Sequence, residues 1–166
     1  MNHRRAPQAM HLTGTVSSGL GRAHMFMAQP HYQDQFKQIL GATAWPGTLN
    51  VTVDGADLAS YVALRNKAGI DTLDIGAGVR EAAAEIETAA IEAIRVRGFL
   101  REGRSFGGAT AFLATIHQAD GKESADCAIL IPDLTRHIDV VEVISPLFLR
   151  ESMNLDDGAA VSLRLR

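Results

Sequence analysis

A short turn near the amino end carries the first residues that could do chemistry. In Ser18-Gly19-Leu20-Gly21, two glycines are separated by a single residue. Glycines let the main chain come close to a ligand, and the exposed amides of such a turn can cradle a phosphate group. The pattern alone is also typical of a tight turn that ends a strand. It therefore indicates a phosphate site only in combination with other residues.

A second turn offers oxygen ligands for a metal ion. Pro46-Gly47 predicts a turn, and the alternation over 48–53 predicts a half-buried strand. Because side chains two positions apart share one face of a strand, Thr48 and Asn50 would point the same way. Their neutral oxygens suit Mg²⁺, which fills its remaining positions with phosphate and water. Alternatively, both residues only satisfy main-chain groups of the turn.

The last third of the chain contains one acidic and one basic candidate. Glu142 interrupts the apolar strand predicted over 140–144, and a buried carboxylate is unfavourable without a partner. It either faces solvent on an alternating strand or belongs to a site. Downstream, Leu147-Phe148-Leu149-Arg150 places an arginine and hydrophobic residues at a turn. A surface ion pair of little consequence is the alternative for that arginine.

The surrounding pattern predicts many short strands and few helices. Glycine or Asp-Gly turns separate the later strands, which favours a barrel or sandwich over a parallel sheet with crossover helices. Strands are predicted over 11–17, 48–53, 94–100, 109–117, 124–131, 140–144 and 159–166, and a short extended segment over 25–27. The clearest helix pattern covers 32–40, and weaker ones cover 58–65 and 79–93. The predicted fold class is all-β with one or two short helices.

Composition and length exclude several classes of protein. The 166 residues fit one domain, and a net charge of −3 provides no broad basic surface for nucleic acid. Cys127 is the single cysteine, which excludes an internal disulfide and a cysteine-based zinc site and agrees with a reduced, cytoplasmic setting. No apolar stretch predicts a signal peptide or a membrane span. We expect a flexible leader over 1–10, one domain over 11–166 and a monomer.

Several motifs follow one another in an order that is typical of one enzyme family. In chain order they are Ser18-Gly19-Leu20-Gly21, Tyr32 with Gln35-Phe36 and Leu40-Gly41, Pro46-Gly47-Thr48-Leu49-Asn50, Gly103-Arg104-Ser105-Phe106-Gly107, Ile131-Pro132 with Thr135, Val141-Glu142-Val143-Ile144-Ser145-Pro146, and Leu149-Arg150-Glu151 with Leu155-Asp156-Asp157-Gly158. Together they resemble the archaeal-type, CTP-dependent riboflavin kinases. The match covers about 11–53 and 96–166, and it leaves 54–95 as a variable insertion.

The resemblance implies a six-stranded cradle-loop barrel that transfers phosphate from CTP to riboflavin, with Mg²⁺, to give FMN. Thr48 and Asn50 would hold the metal ion. Thr135 and Glu142 would contact the flavin, and Glu142 would orient or deprotonate the ribityl hydroxyl. The nucleotide would lie against Gly19, Leu20, Gly21, Arg22, Ala23 and His24 in one segment and against Leu147, Phe148, Leu149 and Arg150 in another.

One departure from the family pattern favours a different class of function. Arg22-Ala23-His24 stands where the family commonly has a second glycine and a basic residue. The alternative is a barrel that senses flavin or nucleotide without transferring phosphate. The presence of Thr48, Asn50 and Glu142 favours the kinase, because a mere binding module has no evident need for a metal pair. A nucleic-acid-binding barrel would need a basic face, and 16 Lys and Arg residues stand against 19 acidic ones.

Overall fold

The computed structural model describes residues 10–19, 23–72, 74–135 and 137–166, and these form nine strands and five helices. The strands are β1 (His11–Ser17), β2 (Leu49–Thr52), β3 (Ile94–Val96), β4 (Phe99–Arg101), β5 (Arg104–Phe106), β6 (Ala109–Gln118), β7 (Ser124–Pro132), β8 (Val140–Ile144) and β9 (Ala160–Leu165). The helices are α1 (Ala23–Met27), α2 (Pro30–Leu40), α3 (Gly55–Lys67), α4 (Ala77–Ala84) and α5 (Leu149–Ser152).

Six of the strands close an antiparallel barrel. Neighbours follow the order β6, β7, β8, β2, β1 and β9, and β9 pairs again with β6. Strand β6 is long enough to serve two partners on one side: residues 109–111 pair with β3, and residues 114–118 pair with β9. Closure pairs the two edges that an open sheet would leave exposed. The expected six-stranded barrel is confirmed.

Alternating strand residues fill the interior of the barrel. Leu12 and Val16 of β1 are buried there, and Tyr61 and Leu64 of α3 join the same cluster. Cys127 is fully buried in this core, and burial raises the pKa of its thiol to about 12. The thiol therefore stays protonated, and it is no candidate nucleophile or metal ligand.

Two helices cover part of the outer surface of the barrel. Met27 of α1 and Phe36 of α2 pack with Ala111, Leu130 and Ile144, which project from β6, β7 and β8. These strands are therefore buried on both faces over part of their length. This double burial explains why β7 has a nearly continuous apolar run instead of strict alternation.

The described residues contain more helix than the one or two expected. Helix α2 confirms the helix predicted over 32–40, and Gly41 ends it with a left-handed φ of 80°. The extended segment predicted over 25–27 is wrong, because these residues belong to α1. The helix predicted over 79–93 is wrong beyond Ala84, where α4 ends. None of the helices in the described chain has both the length and the apolar character to cross a membrane.

The strand predicted over 94–100 is two strands with a break between them. The amide of Arg97 donates to the side-chain oxygen of Gln35 at 2.7 Å, and the carbonyl of Arg97 accepts from the same side chain at 3.0 Å. At Gly98, an added Cβ would lie 2.4 Å from the carbonyl oxygen of Phe106. The break therefore separates β3 on the barrel from β4, which forms a hairpin with β5.

Candidate active site

One row of paired residues crosses the outer face of the barrel, and it is polar at one end and apolar at the other. Strands β1, β2, β8, β7 and β6 pair through Ser17, Asn50, Glu142, Leu130 and Ala111, in that order. Directly opposed residues of antiparallel strands project on the same face. The row is polar up to Glu142 and apolar beyond it, where Leu130 and Ala111 pack with α1 and α2. Glu142 lies at the boundary.

The apolar end of the row opens into a cavity of about 450 Å³, called the apolar cavity below. Its lining residues are Ala23, Phe26, Met27, Tyr32, Phe36, Thr48, Val96, Gly107, Gly108, Ala109, Leu130, Pro132, Leu134 and Glu142. The Tyr32 hydroxyl donates a hydrogen bond to the carbonyl oxygen of Gly107 at 2.5 Å, so this polar group of the aromatic wall has a partner. The volume and lining suit a planar, largely apolar ligand.

The β4–β5 hairpin supports the aromatic wall of the apolar cavity from behind. Phe99 and Phe106 stack with their ring centroids 4.6 Å apart. Tyr32 meets Phe99 edge to face at 4.9 Å, and Phe26 meets Phe106 edge to face at 6.1 Å. These contacts hold the lining rings of Tyr32 and Phe26 in place, because offset and edge-on pairs are the favoured arrangements of aromatic rings.

The polar end of the row opens into a second cavity of about 500 Å³, called the polar cavity below. It is lined by Ser17, Ser18, Gly19, Ala23, His24, Gly47, Thr48, Asn50, His137, Glu142 and Arg150. His24 Nδ1 lies 2.8 Å from the carbonyl oxygen of Pro46 and must carry a hydrogen there, since a carbonyl only accepts. Thr48 and Glu142 line both cavities. A ligand in one cavity would therefore meet a ligand in the other at these two residues.

Thr48 and Asn50 are spaced as two ligands of one small cation. The Thr48 hydroxyl donates to Asn50 Oδ1 across 3.0 Å. Octahedral Mg²⁺ with ligands near 2.1 Å holds adjacent oxygens about 3.0 Å apart, so the pair fits neighbouring positions of its shell. The described residues contain no cluster of three or more His, Cys, Asp or Glu side chains that could hold a metal. A cation at this place would need phosphate or water oxygens to complete its shell.

Gly19 packs directly against the metal-binding candidate Asn50. A Cβ added at Gly19 would lie 2.4 Å from Asn50 Nδ2. This is closer than real Cβ atoms approach, so either the side chain or the turn would have to move. The glycine lets the main chain touch the Asn50 amide, which is held with its oxygen towards Thr48.

Glu142 lines both cavities, and its surroundings change the ionisation of its carboxyl group. It is half-buried, burial raises the pKa of its carboxyl group, and nearby His137 opposes that rise. The hydrogen bonds of the described chain do not include one to this carboxylate. An acceptor with a raised pKa and no hydrogen-bond partner among the residues described can take a hydrogen bond or a proton from a ligand hydroxyl.

The start of α5 borders a shallow cavity of about 60 Å³ next to the polar one. It is lined by Trp45, Gly47, Thr48, Leu49, Val143, Ser145, Leu147, Phe148, Leu149 and Arg150. Trp45 and Phe148 stack there, with ring centroids 4.5 Å apart and planes 12° apart, yet they remain 42% and 38% exposed. Exposed stacked rings offer a face to a planar ligand. Arg150 lines both this cavity and the polar one.

The structure brings most of the predicted site residues together. Those that line at least one cavity are Gly19, Ala23, His24, Thr48, Asn50, Glu142, Leu147, Phe148, Leu149 and Arg150. Thr135 lies beside the apolar cavity and not in its wall, where its hydroxyl accepts from the amide of His137 at 3.4 Å. Leu20, Gly21 and Arg22 lie outside the described residues.

Sequence reasoning assigned no site role to several residues that line these cavities. Ser17 ends the first strand, Trp45 precedes the Pro-Gly turn, and His137 follows Thr135 by two residues. The wall of the apolar cavity adds Phe26, Met27, Val96, Gly108, Ala109, Leu130 and Leu134. The single tryptophan beside a predicted ligand turn was the available signal for Trp45. No pattern pointed to the others, because strand pairing and loop packing place them.

Comparison with known proteins gives one family throughout. The family model for CTP-dep_RFKase, described as domain of unknown function DUF120, matches residues 16–76 and 72–165. A riboflavin kinase of Thermoplasma acidophilum is 33% identical over 154 residues, which are 93% of this chain and 56% of that protein. Riboflavin kinases of Methanoculleus marisnigri and Halobacterium salinarum are 33% and 32% identical, over 93% and 96% of this chain and 56% and 58% of theirs. The chain thus spans little more than half the length of these relatives.

Proposed function

The chain belongs to the CTP-dependent riboflavin kinase family, and from this premise we propose that it transfers the terminal phosphate of CTP to the ribityl 5′-hydroxyl of riboflavin, giving FMN. The observation that carries the proposal is the junction of the two cavities. Thr48 and Glu142 line both the apolar and the polar cavity. Two substrates of unlike polarity can therefore meet at a metal-ligand candidate and a carboxylate.

The apolar cavity is our proposed site for the flavin. An isoalloxazine ring system is planar and aromatic with an apolar dimethylbenzene end, so it suits the space beside Tyr32, Phe36 and Leu130. The ribityl chain would then run towards Glu142 at the boundary of the row. Thr135 would contact the flavin only from the loop beside the cavity, next to Leu134 in the wall.

The polar cavity is our proposed site for the triphosphate. His24 and Arg150 line it and can face phosphate oxygens, together with main-chain amides of the segment around Gly19. The base would lie at the shallow cavity, against the exposed rings of Trp45 and Phe148. Arg150 borders both places, as expected for a residue between base and phosphates.

In the proposed reaction the ribityl 5′-oxygen forms a bond to the terminal phosphorus as the bond to the bridging oxygen breaks, and CDP leaves. Glu142 orients the hydroxyl and accepts its proton, which its raised pKa favours. Thr48 and Asn50 would hold Mg²⁺, which neutralises charge on the phosphates. Arg150 holds the phosphate donor so that its terminal phosphorus and leaving oxygen lie in line with the attacking ribityl oxygen. Phosphoryl transfer depends chiefly on such positioning and charge neutralisation.

Ala23, one part of the departure that favoured a non-catalytic sensor, has a structural account, whereas Arg22 lies outside the described residues. Ala23 is the first residue of α1, and its φ is not in the left-handed region that would call for glycine. Alanine at this position therefore costs no backbone strain. Ala23 lines both cavities, so the extra methyl group narrows the site without removing any candidate ligand.

The direct test is a donor comparison. The purified protein is incubated with riboflavin, Mg²⁺ and each of CTP, ATP, GTP and UTP in turn, and the flavins are separated by chromatography. We expect FMN with CTP. If FMN forms only with another donor, the kinase proposal holds and that nucleotide is the donor in place of CTP. If no donor gives FMN while flavin still binds, the kinase proposal is wrong and a sensor takes its place.

Gly19→Ala tests the packing of the turn against the metal ligand. The added Cβ would displace the Asn50 amide, so we expect the Mg²⁺ concentration for half-maximal FMN formation to rise by about tenfold or more. Gly76→Ala is the matched control, because nothing lies within 4 Å of a Cβ added there. Equal Mg²⁺ dependence in the two variants would show that the contact with Asn50 does not matter.

A further inference from the structure

A single carboxylate joins the two segments that border the polar cavity. Asp157 Oδ2 accepts a hydrogen bond from the Ser18 hydroxyl at 2.6 Å, and its Oδ1 accepts from Arg150 Nη2 at 2.8 Å. Ser18 directly follows β1, and Arg150 belongs to α5. Both line the polar cavity, whereas Asp157 is not in its wall. The carboxylate therefore acts on that cavity through its two partners.

A third contact ties the same arginine to β1. Arg150 Nη2 also donates to the carbonyl oxygen of Ser17 at 3.2 Å. One nitrogen of the guanidinium is thus anchored twice, while Nε and Nη1 have no protein partner in the described chain. An arginine held at one corner keeps its remaining N–H groups available for an anion in a fixed orientation.

Main-chain hydrogen bonds to β1 hold the turn that carries Asp157. The amide of Gly158 donates to the carbonyl oxygen of Val16 at 2.7 Å, and the amide of Val16 donates to Ala159 at 2.9 Å. Gly158 adopts a φ of 89°, which fixes the entry into β9. These main-chain bonds continue the β1–β9 pairing. The Asp157 carboxylate is therefore attached to a segment that is hydrogen-bonded to the barrel.

We propose that Asp157 is a positioning residue for the phosphate donor: it fixes Arg150 and Ser18 in the geometry that a triphosphate requires, without touching either substrate. The inference rests on the proposed function. The Ser18 and Arg150 contacts lower the pKa of the Asp157 carboxyl group, which keeps it ionised near neutral pH. Its side chain is 57% exposed, and exposed ion pairs add little to stability. Loss of Asp157 should therefore affect donor binding and not folding.

Asp157→Ala tests the proposal against Asp156→Ala, which removes the same charge from an exposed neighbouring position. We expect the KM for CTP to rise about tenfold in Asp157→Ala, the factor that one charge-assisted hydrogen bond can supply. The KM for riboflavin should stay within about twofold, since the flavin site is at the other end of the row. Asp156→Ala should leave both values and the melting temperature unchanged.

A second variant and a second readout separate positioning from a general defect. Ser18→Ala should give part of the effect, and the double variant with Asp157→Ala should be no worse than Asp157→Ala alone, because the two changes share one hydrogen bond. Amide hydrogen exchange of residues 16–19 should quicken in Asp157→Ala and not in Asp156→Ala. Full wild-type turnover with an unchanged KM for CTP in Asp157→Ala overturns this inference alone. Absence of FMN from the wild type overturns the proposed function and this inference with it.

Discussion

Glu142→Gln is expected to lower the rate of FMN formation by about a thousandfold, within the range that a positioned general base supplies. Glutamine keeps the size of the side chain and can still accept a hydrogen bond, but it cannot take the proton of the ribityl hydroxyl. Glu142 lines both cavities, and the other ionisable groups that the described residues bring to the polar cavity are His24, His137 and Arg150. None of these borders the apolar cavity, so none is placed to replace the carboxylate.

The same substitution is expected to raise the free energy of unfolding near neutral pH. Burial raises the pKa of Glu142 in the folded chain above its unfolded value. The stability that such a group contributes is complete below the unfolded pKa and is lost as the pH rises through the folded-state pKa. Ionised Glu142 therefore weakens the ligand-free fold, and the glutamine variant escapes this loss. Its advantage should vanish below about pH 4, where both states are protonated.

Two measurements on one pair of variants check this combination. FMN formation is followed by chromatography, and thermal unfolding is followed across pH without ligands. Glu123→Gln is the matched control, because Glu123 is exposed. Its hydrogen bond with Gln118 uses the main-chain carbonyl, which the substitution keeps. An unchanged rate in Glu142→Gln would contradict the role as a base. A lower stability at neutral pH would contradict the proposed cost of holding a carboxylate at the boundary of the two cavities.

Local patterns predicted the pieces of this site well, because their geometry depends on neighbours in sequence. The strand period alone placed Thr48 and Asn50 on one face, and their oxygens do lie 3.0 Å apart. The barrel followed from short strands separated by turns, and the pairing of β9 with β6 closes it. The apolar strand around Glu142 left two interpretations open, since its outcome depends on which residues stand opposite on β2 and β7.

Local sequence patterns did not predict the features that depend on packing between distant segments. The run over 25–27 is too short to show a helical period, and α1 forms where Met27 packs with Leu130 and Ile144. The alanine-rich run over 79–93 has high helix propensity throughout, yet α4 ends early because propensity is a weak influence beside tertiary contacts. The Asp157 bridge joins residues 139 positions apart, and no local signal predicts it.

Asn50→Ala is expected to raise the Mg²⁺ concentration needed for half-maximal FMN formation by about a hundredfold. The substitution removes one of two adjacent oxygens and leaves Thr48, which cannot chelate a cation alone. Asn50 does not line the apolar cavity, so riboflavin affinity, measured by quenching of flavin fluorescence, should stay within about twofold. Asn66→Ala is the control, because Asn66 is exposed on α3 and far along the chain from this turn. Intact turnover with intact metal dependence in Asn50→Ala would refute the metal assignment.

The neutrality of Asn50 follows from its position opposite Glu142 on the neighbouring strand. A carboxylate at this position would bind a cation more strongly, but like charges directly opposed across two strands repel one another. In Asn50→Asp the second charge should raise the pKa of Glu142 further, because it disfavours ionisation of the first carboxyl group. We therefore expect the acid limb of the pH–rate profile to move to higher pH in this variant. A profile that keeps its wild-type position would mean that Glu142 and the metal ligand act independently, although their strands pair them.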